Sequence, residues 1–160
     1  EAGYYLNGTY YGDKNLLAVG IAGQAQDGNT AFSVDFLLDR KVPAGGVVSI
    51  ESEYAKYDQL GGYDAHYGTD QGGYALASYL FPPMMGLTGR FEVLGKFGQA
   101  NFSKGLTALD PDYNQKTTEV NVDYVLRQFN ARVMVFYLQK SFSAVQADDK
   151  QVDVGLQVQM

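Results

Sequence analysis

The C-terminal stretch of the chain, Gln151 to Met160, alternates strictly between apolar and polar side chains. Because successive side chains of a β-strand point to opposite faces, this stretch has one wholly apolar and one wholly polar face as a strand. Its length matches what a tilted strand needs to cross the hydrocarbon layer of a membrane. The pattern predicts a membrane strand that runs to the end of the sequence.

Similar alternation recurs upstream and predicts nine strands in all. Their ranges are 3–11, 16–26, 31–40, 47–57, 74–81, 87–97, 115–127, 131–141 and 151–160. Segment 74–81 is apolar on both faces, so its orientation stays open. In segment 131–141, Met134, Phe136 and Leu138 interrupt the face that also carries Arg132 and Lys140. The fold predicted from these strands is an all-β, antiparallel transmembrane barrel.

The connections between the predicted strands alternate between long and short, apart from a DGNT turn at 27–30. Outer-membrane barrels show this pattern, with long loops outside the cell and tight turns in the periplasm. Because an odd number of antiparallel strands cannot close a barrel, we expect residues 1–160 to form a single domain that is the C-terminal part of a larger barrel. The alternative is that segment 3–11 is not a strand and that eight strands form a complete barrel.

The composition favours strands and turns, with 19 Gly, 13 Tyr and 9 Phe among 160 residues. The absence of cysteine excludes disulfides, thiolate metal sites and thiol nucleophiles. A net charge of -6 argues against a nucleic-acid surface. No apolar run is long enough for a transmembrane helix.

Covalent chemistry is not indicated. The single histidine, His66, lies in a polar segment without a second histidine or a cysteine, so it does not predict a zinc site. No nucleophile, phosphate-binding or dinucleotide-binding motif is present in the sequence. We therefore expect neither an enzyme nor a bound metal or cofactor.

The charged residues on the polar faces of the predicted strands are the candidate site, as the lining of a water-filled lumen whose charges set ion selectivity. These candidate lumen-lining residues are Asp35, Asp39, Glu51, Glu53, Arg90, Glu92, Lys96, Glu119, Asp123, Arg127 and Arg132. The opposite faces supply candidate lipid-facing residues, namely Val34, Phe36, Ile50, Val122, Tyr124, Val154, Leu156 and Val158. Aromatic residues near strand ends, such as Tyr11, Tyr54 and Tyr79, fit the girdles found at membrane interfaces.

Several segments resemble the phosphate-selective porin family of Gram-negative outer membranes. The resembling segments read GYYLNGTYYGDKNLLAVGIAGQAQ (3–26), GGVVSIESEYAKYD (45–58), GGYALASYLFP (72–82), NVDYVLRQFNARVMVFY (121–137) and VGLQVQM (154–160). The resemblance implies a barrel of about 16 strands, of which this chain supplies the last part. It also implies a homotrimeric channel for passive diffusion of small hydrophilic solutes or ions. Such a channel contacts outer-membrane lipid and lipopolysaccharide, and its C-terminal strand is read by the barrel-assembly machinery.

Two features depart from that family. Met160 stands where outer-membrane barrels usually end on an aromatic residue. The candidate lumen cations are outnumbered by carboxylates, so this stretch does not support phosphate selectivity. Two other functions remain as alternatives: a porin-like barrel that sheathes a cytochrome electron conduit, and a soluble β-sandwich that binds a ligand.

Overall fold

The computed structural model describes residues 11–59, 68–103, 112–128, 130–143 and 147–158. Within these ranges the chain is all-β and forms eight strands without a helix. The strands are β1 (Leu16–Gln26), β2 (Asn29–Lys41), β3 (Val47–Asp58), β4 (Thr69–Leu80), β5 (Arg90–Phe102), β6 (Tyr113–Arg127), β7 (Ala131–Phe142) and β8 (Asp149–Val158).

All eight strands belong to one sheet, and each pairs antiparallel with its neighbours in sequence order. The all-β, antiparallel architecture expected from the sequence is therefore confirmed. Among the described residues β1 and β8 do not pair with each other, so the sheet is open and a closed barrel is not shown. Residues 3–10 of the predicted strand 3–11, His66 and the last two residues lie outside the described ranges.

Two strands have an end that lies three or more residues from the predicted one. β4 begins at Thr69 instead of Tyr74, and β5 runs from Arg90 to Phe102 instead of from 87 to 97. The added part of β4 is rich in Gly and Gln, which carry no apolar alternation to mark a strand. It is a strand because β3 continues beside it as far as the Asp58–Thr69 pair.

The tightest connection joins β1 to β2 through Asp27 and Gly28. Both residues have positive φ angles, 50° and 84°. A two-residue hairpin with two positive φ values matches the right-handed twist of the flanking strands, and Asp-Gly is a favoured sequence for it. The DGNT turn expected from the sequence is present at this point.

The connections define two ends of the sheet. The turn end carries connections 42–46, 81–89 and 128–130, and the loop end carries connections 59–68, 103–112 and 143–148 together with the Asp27–Gly28 hairpin. At the loop end the hydroxyls of Thr30 and Thr69 each donate a hydrogen bond of 2.9 Å to Asp58. This carboxylate therefore ties β2, β3 and β4 together where the strands leave the sheet.

The sheet is strongly curled. Gln128 Nε2, just after β6, donates a hydrogen bond of 2.9 Å to Asp13 Oδ2, just before β1. In a flat sheet the five steps between neighbouring strands from β1 to β6 would hold these residues about 24 Å apart. Only a tightly curved sheet brings them into contact, so one face is concave and the other convex.

The two faces differ in character. The convex face carries the apolar residues, and these are exposed, from Ile21 in β1 at 82% to Val154 in β8 at 75%. The concave face carries the buried side chains, including Asp39 and Ser49, both at 0% exposure. A small apolar cluster of Tyr11, Val47, Leu80 and Val125 fills the concave side at the turn end.

Candidate functional site

Polar side chains line the concave face because polar residues alternate with apolar ones along most strands. Charged and hydroxyl groups of five neighbouring strands, β2 to β6, meet there close to the turn end. These buried polar residues are Asp39, Ser49, Ser78, Glu92, Asn121 and Asp123. Their register is set by the antiparallel ladders, in which Asp39 pairs with Ser49, Ser49 with Ser78, and Glu92 with Asp123. We call this group the polar belt.

Arg132 ends the polar belt on the β7 side. Its Nη1 lies 3.5 Å from Asp123 Oδ2, and its Nε donates a hydrogen bond of 2.8 Å to Gln157 Oε1. One guanidinium therefore connects β6, β7 and β8. At the other side of the belt, the Ser49 hydroxyl donates a hydrogen bond of 3.3 Å to Asp39.

Several oxygens of the polar belt have no hydrogen-bond partner among the residues that the structure describes. They are Glu92 Oε1, Asn121 Oδ1 and Asp123 Oδ1. A buried polar atom without a partner costs on the order of 1–3 kcal/mol, so such atoms are normally met by water or an ion. The concave face therefore differs from an apolar protein core, because its buried side chains at this level are polar.

A second polar group lies nearer the loop end. Lys96 Nζ lies 4.3 Å from the centre of the Tyr74 ring, and the Tyr74 hydroxyl donates a short hydrogen bond to Glu51. Lys96 also pairs across the ladder with Glu119, and Glu53 pairs with Tyr74. Lys96 is therefore flanked by an aromatic face and by carboxylates, so the charge around it is mainly negative.

An open groove of about 400 Å³ runs beside Tyr74 and Lys96 toward the loop end. Small residues form its floor, among them Ala55, Gly72, Gly98 and Ala100. Because these positions carry no bulk, the concave side is roomy at the loop end. It is packed at the turn end, where Val47 and Leu80 are completely buried.

The candidate lumen-lining residues do not all present their charge to the concave space. Asp35, Glu51, Glu53, Lys96 and Glu119 are within reach of solvent on the concave side, while Asp39, Glu92 and Asp123 are buried in the polar belt.

The arginines differ from one another. Arg127 is exposed at the end of β6, beside an irregularity in the β6–β7 register. Arg90 begins β5 at the turn end, and its guanidinium donates hydrogen bonds to three backbone carbonyls, those of Phe81, Tyr11 and Gly45, at 2.8, 3.3 and 3.2 Å. Its role in the structure is to hold the chain together at the turn end.

The candidate lipid-facing residues share the convex face. Val34, Phe36, Ile50, Val122, Tyr124, Val154, Leu156 and Val158 are connected by the ladders into one continuous apolar surface with the exposed residues of β1, β5 and β7. Aromatic pairs lie toward both ends of this surface. Phe91 and Tyr124 have ring centres 5.0 Å apart near the turn end, and Phe32 and Tyr54 have ring centres 5.9 Å apart toward the loop end.

Some residues of the site were not singled out by sequence patterns. Ser49, Ser78 and Asn121 complete the polar belt, and for Ser49 and Asn121 the signal was present, since each shares the parity of a charged residue on its own strand. Ser78 lies in β4, where apolar residues occur on both faces, so the sequence pattern does not mark one face as polar. Tyr11, expected in an interfacial girdle, is instead buried at 7% exposure.

Within the described ranges, no group of three or more His, Cys, Asp or Glu side chains is placed to hold a metal ion. No helix in the described part of the chain is long and apolar enough to span a membrane. Comparison with known proteins gave no match to a family model, to a curated protein or to a solved structure.

Proposed function

We propose that this chain forms part of the wall of an outer-membrane β-barrel channel that passes small hydrophilic solutes or ions by diffusion. The observation that carries the proposal is the inverted distribution of polarity. The apolar face of the sheet is exposed, and the charged face is turned inward and partly buried. A water-soluble domain arranges its sheets the other way round.

The inversion has a simple energetic reading. Burying one apolar side chain is worth roughly 1.5–3 kcal/mol, and a row of them on each of several strands of the convex face has no cover from the described residues. In water a continuous apolar surface of this kind promotes association. The hydrocarbon of a bilayer shields this apolar surface from water, and the polar face then borders a lumen that contains water.

The strand lengths support the same proposal. A tilted strand of about 9–11 residues crosses a bilayer. The shortest strand, β8, has 10 residues and the longest, β6, has 15. The aromatic pairs Phe91–Tyr124 and Phe32–Tyr54 fit interfacial girdles at the two ends of the apolar surface.

The open edges of the sheet require partners in this setting. Inside a bilayer each unpaired backbone group costs several kcal/mol, so β1 and β8 must pair with each other or with further strands. We propose that the eight strands are part of a closed barrel. The resemblance to phosphate-selective porins implies about 16 strands, whereas the 2.9 Å contact between Gln128 and Asp13 fits a barrel of fewer strands. A homotrimer in the outer membrane, with lipopolysaccharide around it and with insertion through the barrel-assembly machinery, belongs to the same proposal.

The charges of the concave face favour cations over phosphate. Asp35, Glu51, Glu53 and Glu119 border the accessible part of this face, where Lys96 is the cation held among them. A lumen lined mainly by carboxylates concentrates cations and repels anions. The proposed solutes are therefore small cations and neutral hydrophilic molecules.

Neither alternative function gains a specific observation. A β-sandwich buries its apolar face under a second sheet, whereas the described residues form one sheet with that face exposed. No haem-attachment motif of the CxxCH type can exist in a chain without cysteine, so a cytochrome would have to be supplied by another polypeptide.

Reconstitution tests the proposal. The full chain, folded in detergent and added to a planar lipid bilayer, is expected to give discrete conductance steps and, in a salt gradient, a reversal potential on the cation-selective side. A chain that stays monodisperse in buffer without detergent and leaves the bilayer silent would contradict it.

A further inference from the structure

The segment that precedes β1 crosses the concave face at the turn end. We call residues 11–15 the turn-end strap. Its contacts reach far across the sheet: the backbone N–H of Lys41 in β2 donates a hydrogen bond of 3.0 Å to Asn15 Oδ1, and Gln128 after β6 donates one of 2.9 Å to Asp13. The strap therefore crosses the turn end of the concave face, from β2 to the β6–β7 connection.

The strap is packed as well as hydrogen-bonded. Tyr11 is buried against Val47, Leu80 and Val125, which belong to three different strands. Tyr11 and Gly12 have φ angles of 54° and 83°, so the strap makes a sharp left-handed turn over this cluster. A β-carbon at Gly12 would lie 2.8 Å from Val47 Cγ2, which leaves no room for any larger residue.

Arg90 fixes the strap to the sheet. Its Nη1 donates to the Tyr11 carbonyl of the strap, its Nη2 to the Gly45 carbonyl in the β2–β3 connection, and its Nε to the Phe81 carbonyl after β4. A guanidinium has donors on three nitrogens in a rigid plane, whereas an ammonium is a point charge that cannot reproduce this geometry.

We infer that the turn-end strap is the gate of the proposed channel and that Arg90 is its latch. This inference rests on the proposed function. The concave side is open at the loop end, where small residues line a groove of about 400 Å³. At the turn end Tyr11 of the strap packs on Val47, Leu80 and Val125, so a solute that moves along the concave face meets the strap there. Displacement of the strap breaks the hydrogen bond from Arg90 Nη1 to the Tyr11 carbonyl, leaves the hydrogen bonds to the Gly45 and Phe81 carbonyls in place, and exposes the ring of Tyr11.

Variants of Arg90 distinguish two roles for its side chain, namely holding the strap in place and acting as a charge on passing ions. Both R90Q and R90K lose the three-carbonyl geometry, so both are expected to raise the single-channel conductance roughly twofold, because conductance follows the narrowest part of the path. A charge that acted only on passing ions would give a different result, with R90K like the unchanged protein and R90Q shifted in reversal potential. The control is R40Q, since Arg40 is an exposed cation near the same end of β2.

A second variant displaces the strap without changing any charge. G12V places side-chain atoms where Val47 already lies and adds strain at a positive φ. It is expected to raise the conductance in the same direction as R90K, with an unchanged reversal potential. Far-ultraviolet circular dichroism and gel migration with and without heating identify variants that have folded.

A cross-link reads the position of the strap independently of conductance. The chain has no cysteine, so D13C and Q128C would be its only thiols. A short homobifunctional thiol reagent is expected to join them in high yield, to join them severalfold less in the R90Q background, and to return the conductance of R90Q to its original value. Equal yields with and without R90Q, or a conductance that neither Arg90 variant changes, would overturn the inference. If no variant conducts, the proposed function fails, while the yields still decide whether Arg90 holds the strap.

Discussion

Arg132 and Asp123 form an ion pair in the concave face, with 3.5 Å between Nη1 and Oδ2 and with the Asp123 side chain only 3% exposed. The pair joins β6 to β7, and the hydrogen bond from Arg132 to Gln157 extends the connection to β8. The edge strand is therefore held by a side chain as well as by its backbone ladder.

This ion pair predicts an asymmetric response to mutation. R132Q leaves a buried carboxylate without its partner and is expected to cost about 3–5 kcal/mol of unfolding free energy. D123N removes the charge that needs compensation, so R132Q is expected to cost less in the D123N background than alone.

Urea titration of the protein in lipid vesicles, followed by circular dichroism, measures both. K150Q, at an exposed position of β8, is the control and is expected to be nearly neutral. Equal losses in R132Q and K150Q would show that the pair does not stabilise the fold.

The convex face predicts a second result that distinguishes lipid from water around it. Val135 and Val154 are partners across the β7–β8 ladder, and both are exposed. A charged residue near the middle of a lipid-facing strand costs about 2–4 kcal/mol, whereas an exposed substitution in a soluble protein changes stability by about 0.5 kcal/mol or less.

V135R is therefore expected to reduce folding into vesicles strongly. Q151R on the polar face of β8 is the matched control, and we expect it to fold normally. The folded fraction is measured as the fast-migrating band in unheated gels. Normal folding of V135R would place the convex face in water.

The carboxylates near the loop end predict the ion selectivity of the proposed channel. Glu51 and Glu53 lie on the concave side of β3, and neutralising both in E51Q/E53Q removes negative charge beside Lys96 while glutamine can still accept the hydrogen bond from Tyr74. The reversal potential in a salt gradient is expected to shift toward anions. D27N, in the exposed β1–β2 hairpin, is expected to leave it unchanged. The same potential in all three proteins would mean that these glutamates do not border the conducting path.

Two glycines of the sheet predict opposite responses to the same substitution. A β-carbon at Gly73 would lie 2.7 Å from the backbone oxygen of Glu53, so G73A must shift two strands apart and is expected to cost about 1–3 kcal/mol. A β-carbon at Gly95 meets nothing within 4 Å, so G95A is expected to keep or slightly raise stability. The unfolding midpoints in urea compare the two directly. A larger loss for G95A than for G73A would contradict the register of β3 and β4.

The sequence predicts those parts of the fold whose side chains differ between the two faces. β2, β6 and β8 follow from alternation, and the β1–β2 turn follows from Asp27 and Gly28, because only a few residue types tolerate two positive φ angles in a row. β4 was harder to orient because both of its faces carry apolar residues. The structure turns Leu76 and Leu80 inward, where the packed turn end accommodates them.

The tertiary contacts of the site could not be predicted from local pattern. Arg90 has the parity of a lumen charge, yet its donors reach three carbonyls from segments far apart in the chain. Tyr11 has the position of a girdle aromatic, yet the curl of the sheet buries it. Both outcomes depend on how the sheet curves, and side-chain alternation carries no information about curvature.

In the proposed channel, the convex face of the sheet contacts lipid and the concave face contacts water. Single cysteines at Val152, Val154 and Leu156 on one face of β8 and at Gln151 and Asp153 on the other test it in a chain that has no other thiol. In vesicles, a fluorophore attached at any of the first three positions should be quenched by lipid-borne quenchers. The unlabelled cysteines at these three positions should be protected from a membrane-impermeant thiol reagent, while those at the other two positions react with it. Equal reactivity of all five positions with the impermeant reagent would contradict the account.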